Sequence, residues 1–111
     1  MTEAEKQYIS NVMKATAEAL DITVNQLTSS RKLMPMVKSR FIGWMMIRRE
    51  YPALPYHKIG EAYGGRTHAT VIHGIREGKM AVFGDGKLPP LQEWVEDYSR
   101  AQRRLMEITE Q

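Results

Sequence analysis

An all-α fold of about six helices around a helix-turn-helix is the architecture the sequence predicts, and three observations predict it. In the longer segments apolar residues recur at three- and four-residue intervals, the period of a helix with one buried face. Alternating β-branched runs are missing throughout, so no strand has a pattern to grow from. Proline and glycine cut the chain at intervals that leave helix-length pieces between them.

The first piece, about Glu3 to Leu20, places Tyr8, Ile9, Val12, Met13, Thr16, Ala19 and Leu20 on one stripe, and Asp21 breaks it. Thr23 can cap a short second helix holding Val24 and Leu27, its hydroxyl accepting from an otherwise free amide of the first turn. Ser29-Ser30-Arg31-Lys32 reads as an exposed basic loop running towards Pro35. A third helix is expected from about Met36 to Tyr51, with Val37, Phe41, Trp44, Met45 and Tyr51 on one stripe and Lys38, Arg40, Arg48 and Arg49 flanking it. Pro52 and Pro55 end it, because proline has no amide to donate and disfavours helix in the residue before it.

A short helix, Tyr56 to Tyr63, then leads through Gly64-Gly65-Arg66 into a longer one, about Thr67 to Met80, so that the helix-turn-helix occupies about residues 56–80. Gly84-Asp85-Gly86 and Pro89-Pro90 mark a loop. A final helix, about residues 90–108, carries Leu91, Trp94, Val95, Tyr98, Leu105 and Ile108 on one face. Trp44, Trp94 and the methionines Met34, Met36, Met45 and Met46 read as core packing.

With 111 residues and 42% apolar content, the chain is expected to form one domain, residues 1–111, that buries a core without a metal or a covalent staple. It has no cysteine, which excludes disulfides and thiolate–metal sites and suits a reducing cytoplasm. Residues 1–14 carry charges every few positions, and no apolar run reaches the length of a signal peptide or a membrane span. The net charge of +3 is unevenly distributed. Residues 31–79 hold ten basic against three acidic side chains, whereas each flank carries a net −2. A basic middle between acidic ends suits a molecule that turns one cationic face to a polyanion, although a charge-rich stretch is equally often only a solvated surface.

The informative stretch runs from Ile59 to His73. Two helices crossing steeply over a short turn need a residue that tolerates positive φ, which Gly64 and Gly65 supply. They also need a small side chain where they approach, a role the sequence offers Ala62, and apolar contacts between Ile59 and Tyr63 on one side and Val71 and Ile75 on the other. Thr67 is a good N-cap for the second helix. With Val71 and Ile75 inward, Arg66, Thr70, His73 and Glu77 turn outward, a donor-rich face suited to a major groove, and His68 turns partly towards the core. An ordinary helical hairpin with a Gly-Gly turn has the same spacing.

The segment Ile59–Arg76, IGEAYGGRTHATVIHGIR, resembles the signature of the C-terminal DNA-binding domain of the bacterial chromosomal replication initiator DnaA. In that family an Ile-Gly-x-x-Phe/Tyr-Gly-Gly-Arg turn leads into an x-His-x-Thr-Val recognition helix, and the likeness extends more loosely over residues 5–106. The resemblance implies a Trp-repressor-like helical domain that binds short AT-rich boxes in duplex DNA. It implies base contacts from Thr67, His68, Thr70 and His73, and phosphate or groove contacts from Lys38, Arg40 and Arg66. Arg48 and Lys58 join the backbone-contacting set, as does Tyr56, which with His57 stands where the family has a Leu-Pro pair. Arg31 and Lys32 align with an arm that reaches the neighbouring minor groove. The chain departs from the pattern at Thr67, where the family often has Asp or Asn, at Ala69, where it has Thr or Ser, and at Leu33, Met34 and Pro35, where it tends to carry Arg or Ser.

Other chemistries lack support in the sequence. No Gly-rich loop ending in Gly-Lys-Ser/Thr occurs, so no nucleotide hydrolysis is expected of these residues. His57, His68 and His73 do not share the spacing of a metal site, and no nucleophile–base arrangement has local support. The expectation is a non-enzymatic, cytoplasmic, nucleoid-associated binder of double-stranded DNA with no cofactor, no metal, no small-molecule substrate and no membrane association. The alternative is a protein-interaction module on the same scaffold, using the third or last helix to form a homodimer or to hold a replication component.

Overall fold

Threonine hydroxyls cap three of the six helices in the computed structural model, which describes residues 1–110. Helix α1 (Glu3–Ala19) opens on a capping box: the Thr2 hydroxyl accepts from the Glu5 amide at 3.1 Å, and the Glu5 carboxylate accepts from the Thr2 amide at 2.7 Å. It ends where Asp21 takes the left-handed conformation, φ 59°, and Ile22 donates back to the Ala17 carbonyl at 2.9 Å. A second capping box, Thr23 with Gln26, starts α2 (Val24–Thr28).

Helix α3 (Met34–Glu50) begins two residues earlier than expected, because Pro35 sits inside its first turn instead of ahead of it. There the missing amide costs nothing and the fixed φ already suits the helix. Met36, Ile42, Trp44, Met45, Met46 and Ile47 are all buried, so α3 is enclosed on several sides by α1, α2, α5 and α6. Met34, read as core, is exposed at its start.

Helix α4 (Tyr56–Ala62) and helix α5 (His68–Phe83) form the helix-turn-helix. α5 runs three residues past the expected end, stopping at Gly84, whose φ of 75° lets its amide close on the Met80 carbonyl at 2.9 Å. Helix α6 (Gln92–Thr109) returns to pack mainly on α1, burying Tyr98 and Ala101, while Trp94 lies partly buried against Phe41. Two of the residues expected on its buried face fare differently: Leu105 is partly buried and Leu91 is exposed. Among the described residues there is no strand, and no helix is long and apolar enough to cross a membrane.

Candidate nucleic-acid interface

The site is built from the turn outward. The Gly60 carbonyl accepts three amides in succession, from Tyr63 at 3.1 Å, Gly65 at 3.0 Å and Arg66 at 2.9 Å. Folding the chain back this sharply requires Gly64 and Gly65 at φ 84° and 85°, where a side chain is disfavoured. The close approach, however, falls at Gly60 and not at Ala62. A Cβ at Gly60 would stand 2.0 Å from the Arg66 carbonyl oxygen, whereas Ala62 is only partly buried and faces α1 beside Ile9 and Val24. Ile59, Tyr63, Val71 and Ile75 are buried together, joining the two helices as their spacing requires.

Thr67 caps α5: its hydroxyl accepts the Thr70 amide at 3.3 Å and lies 3.0 Å from the Thr70 hydroxyl. Thr67, His68, Thr70 and His73 are all exposed, crowded into the first two turns of α5. His68 therefore points to solvent, against the expectation that it turns partly inward. His73 stands on a platform, its ring edge-on to Phe41 with centroids 6.1 Å apart.

The face of α5 is also rotated from the one the sequence suggested. Gly74 and Gly78 are buried with Val71 and Ile75, because the helix lies directly on Trp44, Phe41 and Met45 of α3. Counting these glycines as core turns the outward face by roughly 30° at 100° per residue, away from Glu77 and towards Arg76, which then lies as near its centre as His73. Arg76 is exposed, as is Lys79, and neither was singled out from the sequence. The signal was the pair of glycines one turn apart, which carry no hydrophobicity and so drop out of a periodicity argument.

The cations expected along the backbone divide into two groups. Arg31 and Lys32 are exposed, and Lys58 is half-exposed and 3.9 Å from Glu61. Arg48 is half-buried, stacked 3.8 Å from the Tyr56 ring centroid, and it donates to the Pro52 carbonyl. Two of the cations are turned inward. Lys38 is only 5% exposed and is held by Glu93 at 2.5 Å and Asp97 at 2.9 Å, tying α3 to α6. Arg40 is 3% exposed and spends its guanidinium on four carbonyls: Leu27, Gln26 and Ser29 at 2.9 Å and Arg31 at 2.6 Å. Two of the three Lys38 donors and four of the five Arg40 donors are thus engaged inside the fold, and both side chains are buried. Arg66 stands between the groups, half-buried and donating to the Tyr63 and Ser29 carbonyls.

Burial, with the like charge of Arg66 beside it, pulls the Arg40 guanidinium down to about 10, which leaves it protonated at neutral pH. Burial also lowers Arg66. Carbonyl oxygens offset part of that cost by accepting from the charged groups. Removing the occupied cations leaves Arg31, Lys32, Arg49, Arg76 and Lys79 as exposed positive charges of the basic middle. Among the described residues no group of His, Asp or Glu has the arrangement of a metal site.

Residues 9–77 match the family described as the bacterial dnaA protein helix-turn-helix. The chain is 34% identical over 74 residues to the chromosomal replication initiator protein DnaA of Citrifermentans bemidjiense, an alignment covering 67% of this chain and 16% of that protein. It is 30% identical over 90 residues to the protein of the same name from Agrobacterium fabrum, covering 78% and 18%. A third, from Geobacter sp. strain M21, is 34% identical over 74 residues. The chain spans less than a fifth of the length of the relatives it matches.

Proposed function

The chain belongs to the bacterial dnaA protein helix-turn-helix family, and we propose that it binds double-stranded DNA sequence-specifically by laying α5 in the major groove. The observation that carries this reading is the cluster of Thr67, His68, Thr70 and His73, all exposed on the first two turns of one helix behind a hydroxyl cap. A recognition helix presents base-reading side chains from its N-terminal turns, and hydroxyls and imidazoles are donors and acceptors matched to base edges. Arg76, exposed one turn beyond His73, extends the set. Arg31, Lys32 and Lys58, with Tyr56 at the start of α4 and Arg48 of α3 stacked on it, supply backbone contacts that position the helix without reading sequence.

The relatives are replication initiators by name, and the target class we assign is accordingly the initiator box of a replication origin, bound in the cytoplasm on the nucleoid. The domain acts there by occupancy, in replication or in transcriptional control, and not by chemistry. A second reading rests on α6, where Met106 is exposed beside a groove shared with Tyr8 and Val95. That face suits a protein contact, either a second copy or a replication component.

Titrating the ¹⁵N-labelled protein with an initiator-box duplex separates the two readings. DNA recognition through α5 predicts amide shifts concentrated at residues 29–33, 56–58 and 66–77. Shifts confined to α6, or no shifts at all, would overturn it.

A further inference from the structure

We infer that Arg40 and Arg66 are positioning residues that lock the basic loop to the start of α5, so that loop and helix meet a duplex in one fixed register; the inference rests on the DNA-binding reading above. The loop that carries Arg31 and Lys32 has no secondary structure of its own. Arg40 reaches from the core of α3 and gathers the carbonyls of Gln26, Leu27, Ser29 and Arg31, so one guanidinium fixes the end of α2 and the chain leaving it. A planar fork with five donors can do this; an ammonium cannot.

Arg66 completes the connection from the other side. Its guanidinium donates to the Ser29 carbonyl and to the Tyr63 carbonyl at the end of α4. The helix-turn-helix turn presses on the same segment, since a Cβ at Gly64 would lie 2.2 Å from the Thr28 carbonyl oxygen. Arg66 is also the residue before Thr67, the cap of α5. Ser29 thus accepts from both arginines, and the exposed cations Arg31 and Lys32 follow it two and three residues later. A loop held in this way meets DNA already ordered, without the entropy loss that a free arm incurs on binding.

The test uses Arg40→Lys and, should that variant fold poorly by circular dichroism, Arg66→Lys, which leaves the carbonyl cage of Arg40 intact. Both keep the charge, so association with a scrambled duplex should not change. Affinity for the initiator-box duplex should fall about tenfold, and the loss should vanish when Arg31→Ala and Lys32→Ala are already present, as coupled residues require. Trypsin should cut after Arg31 and Lys32 about ten times faster in the variant than in the wild type at temperatures where both are folded. An Arg104→Lys control, on the α1–α6 side, should change neither quantity. Losses that add in full to those of the loop variant would make Arg40 merely structural and overturn the inference. Unchanged cleavage would show that the loop is not held by the clamp. A wild type that binds no duplex would instead overturn the DNA reading itself, and with it the use of the clamp.

Discussion

At the scale of single residues, glycine carries information that hydrophobic periodicity does not see. Gly74 faces the Trp44 and Phe41 rings, with only 2.6 Å to the nearest atom for an added Cβ, while Gly78 faces the flexible end of Met45. Gly74→Ala should therefore destabilise the domain by about 1–3 kcal/mol despite its gain in helix propensity, and Gly78→Ala by less, as urea unfolding would measure. Equal midpoints for the two variants would argue against the close α3–α5 contact. The same rotation of α5 predicts that Arg76→Ala weakens duplex binding with the melting temperature unchanged, lowering the salt slope by about one if the contact is to phosphate. The Thr67 cap and the inward pair Val71 and Ile75 were legible from residue type and spacing. Arg76 was not, because the glycines that turn it outward look neutral in sequence.

At the scale of elements, charge patterning located the basic middle but could not sort its members. Lys38 and Arg40 lie among the exposed cations in sequence, yet their partners are Glu93 and Asp97 some 55 and 59 residues away and carbonyls whose positions only the fold fixes. Lys38 anchors α6, and this anchoring has a pH signature. Burial pulls the Lys38 ammonium down, but the hydrogen bonds to Glu93 and Asp97 outweigh it and hold the group above the usual lysine range. Its contribution is thus complete at neutral pH and is lost only as pH rises through that raised value. Glu93, hydrogen-bonded to Lys38, and Glu18, hydrogen-bonded to Arg104, lie below the usual carboxylate range. Their contributions are present above the ordinary glutamate value and disappear as pH falls through the lowered ones. The melting temperature should hold from neutral to mildly alkaline pH and drop below about pH 4, with a shallower acid limb in Glu93→Gln. Identical acid limbs would mean that the α3–α6 anchor contributes nothing. The turn offers a second comparison. Gly64→Ala combines a disfavoured φ with a clash against Thr28, whereas Gly65→Ala meets nothing within 4 Å and should cost only about 1–2 kcal/mol of backbone strain.

At the scale of the whole molecule, the six helices and their order were readable because caps, prolines and apolar spacing act locally. What the sequence left open was which cations face outward, a property of the assembled core. Lys38 and Arg40 are engaged inside the fold, while the exposed cations include Arg31 and Lys32 on the loop and Arg76 and Lys79 on α5. These two elements are joined through Arg40 and Arg66. That arrangement, carried on a scaffold of the initiator family, is the basis for reading the protein as a sequence-specific duplex binder. The most direct test is fluorescence anisotropy with an initiator-box duplex and a scrambled duplex of equal length, at low and near-physiological salt. The account predicts that the box binds at least about 10³-fold more tightly than the scramble at the higher salt. Equal affinities that both fall steeply with salt, or no binding to either duplex, would contradict it.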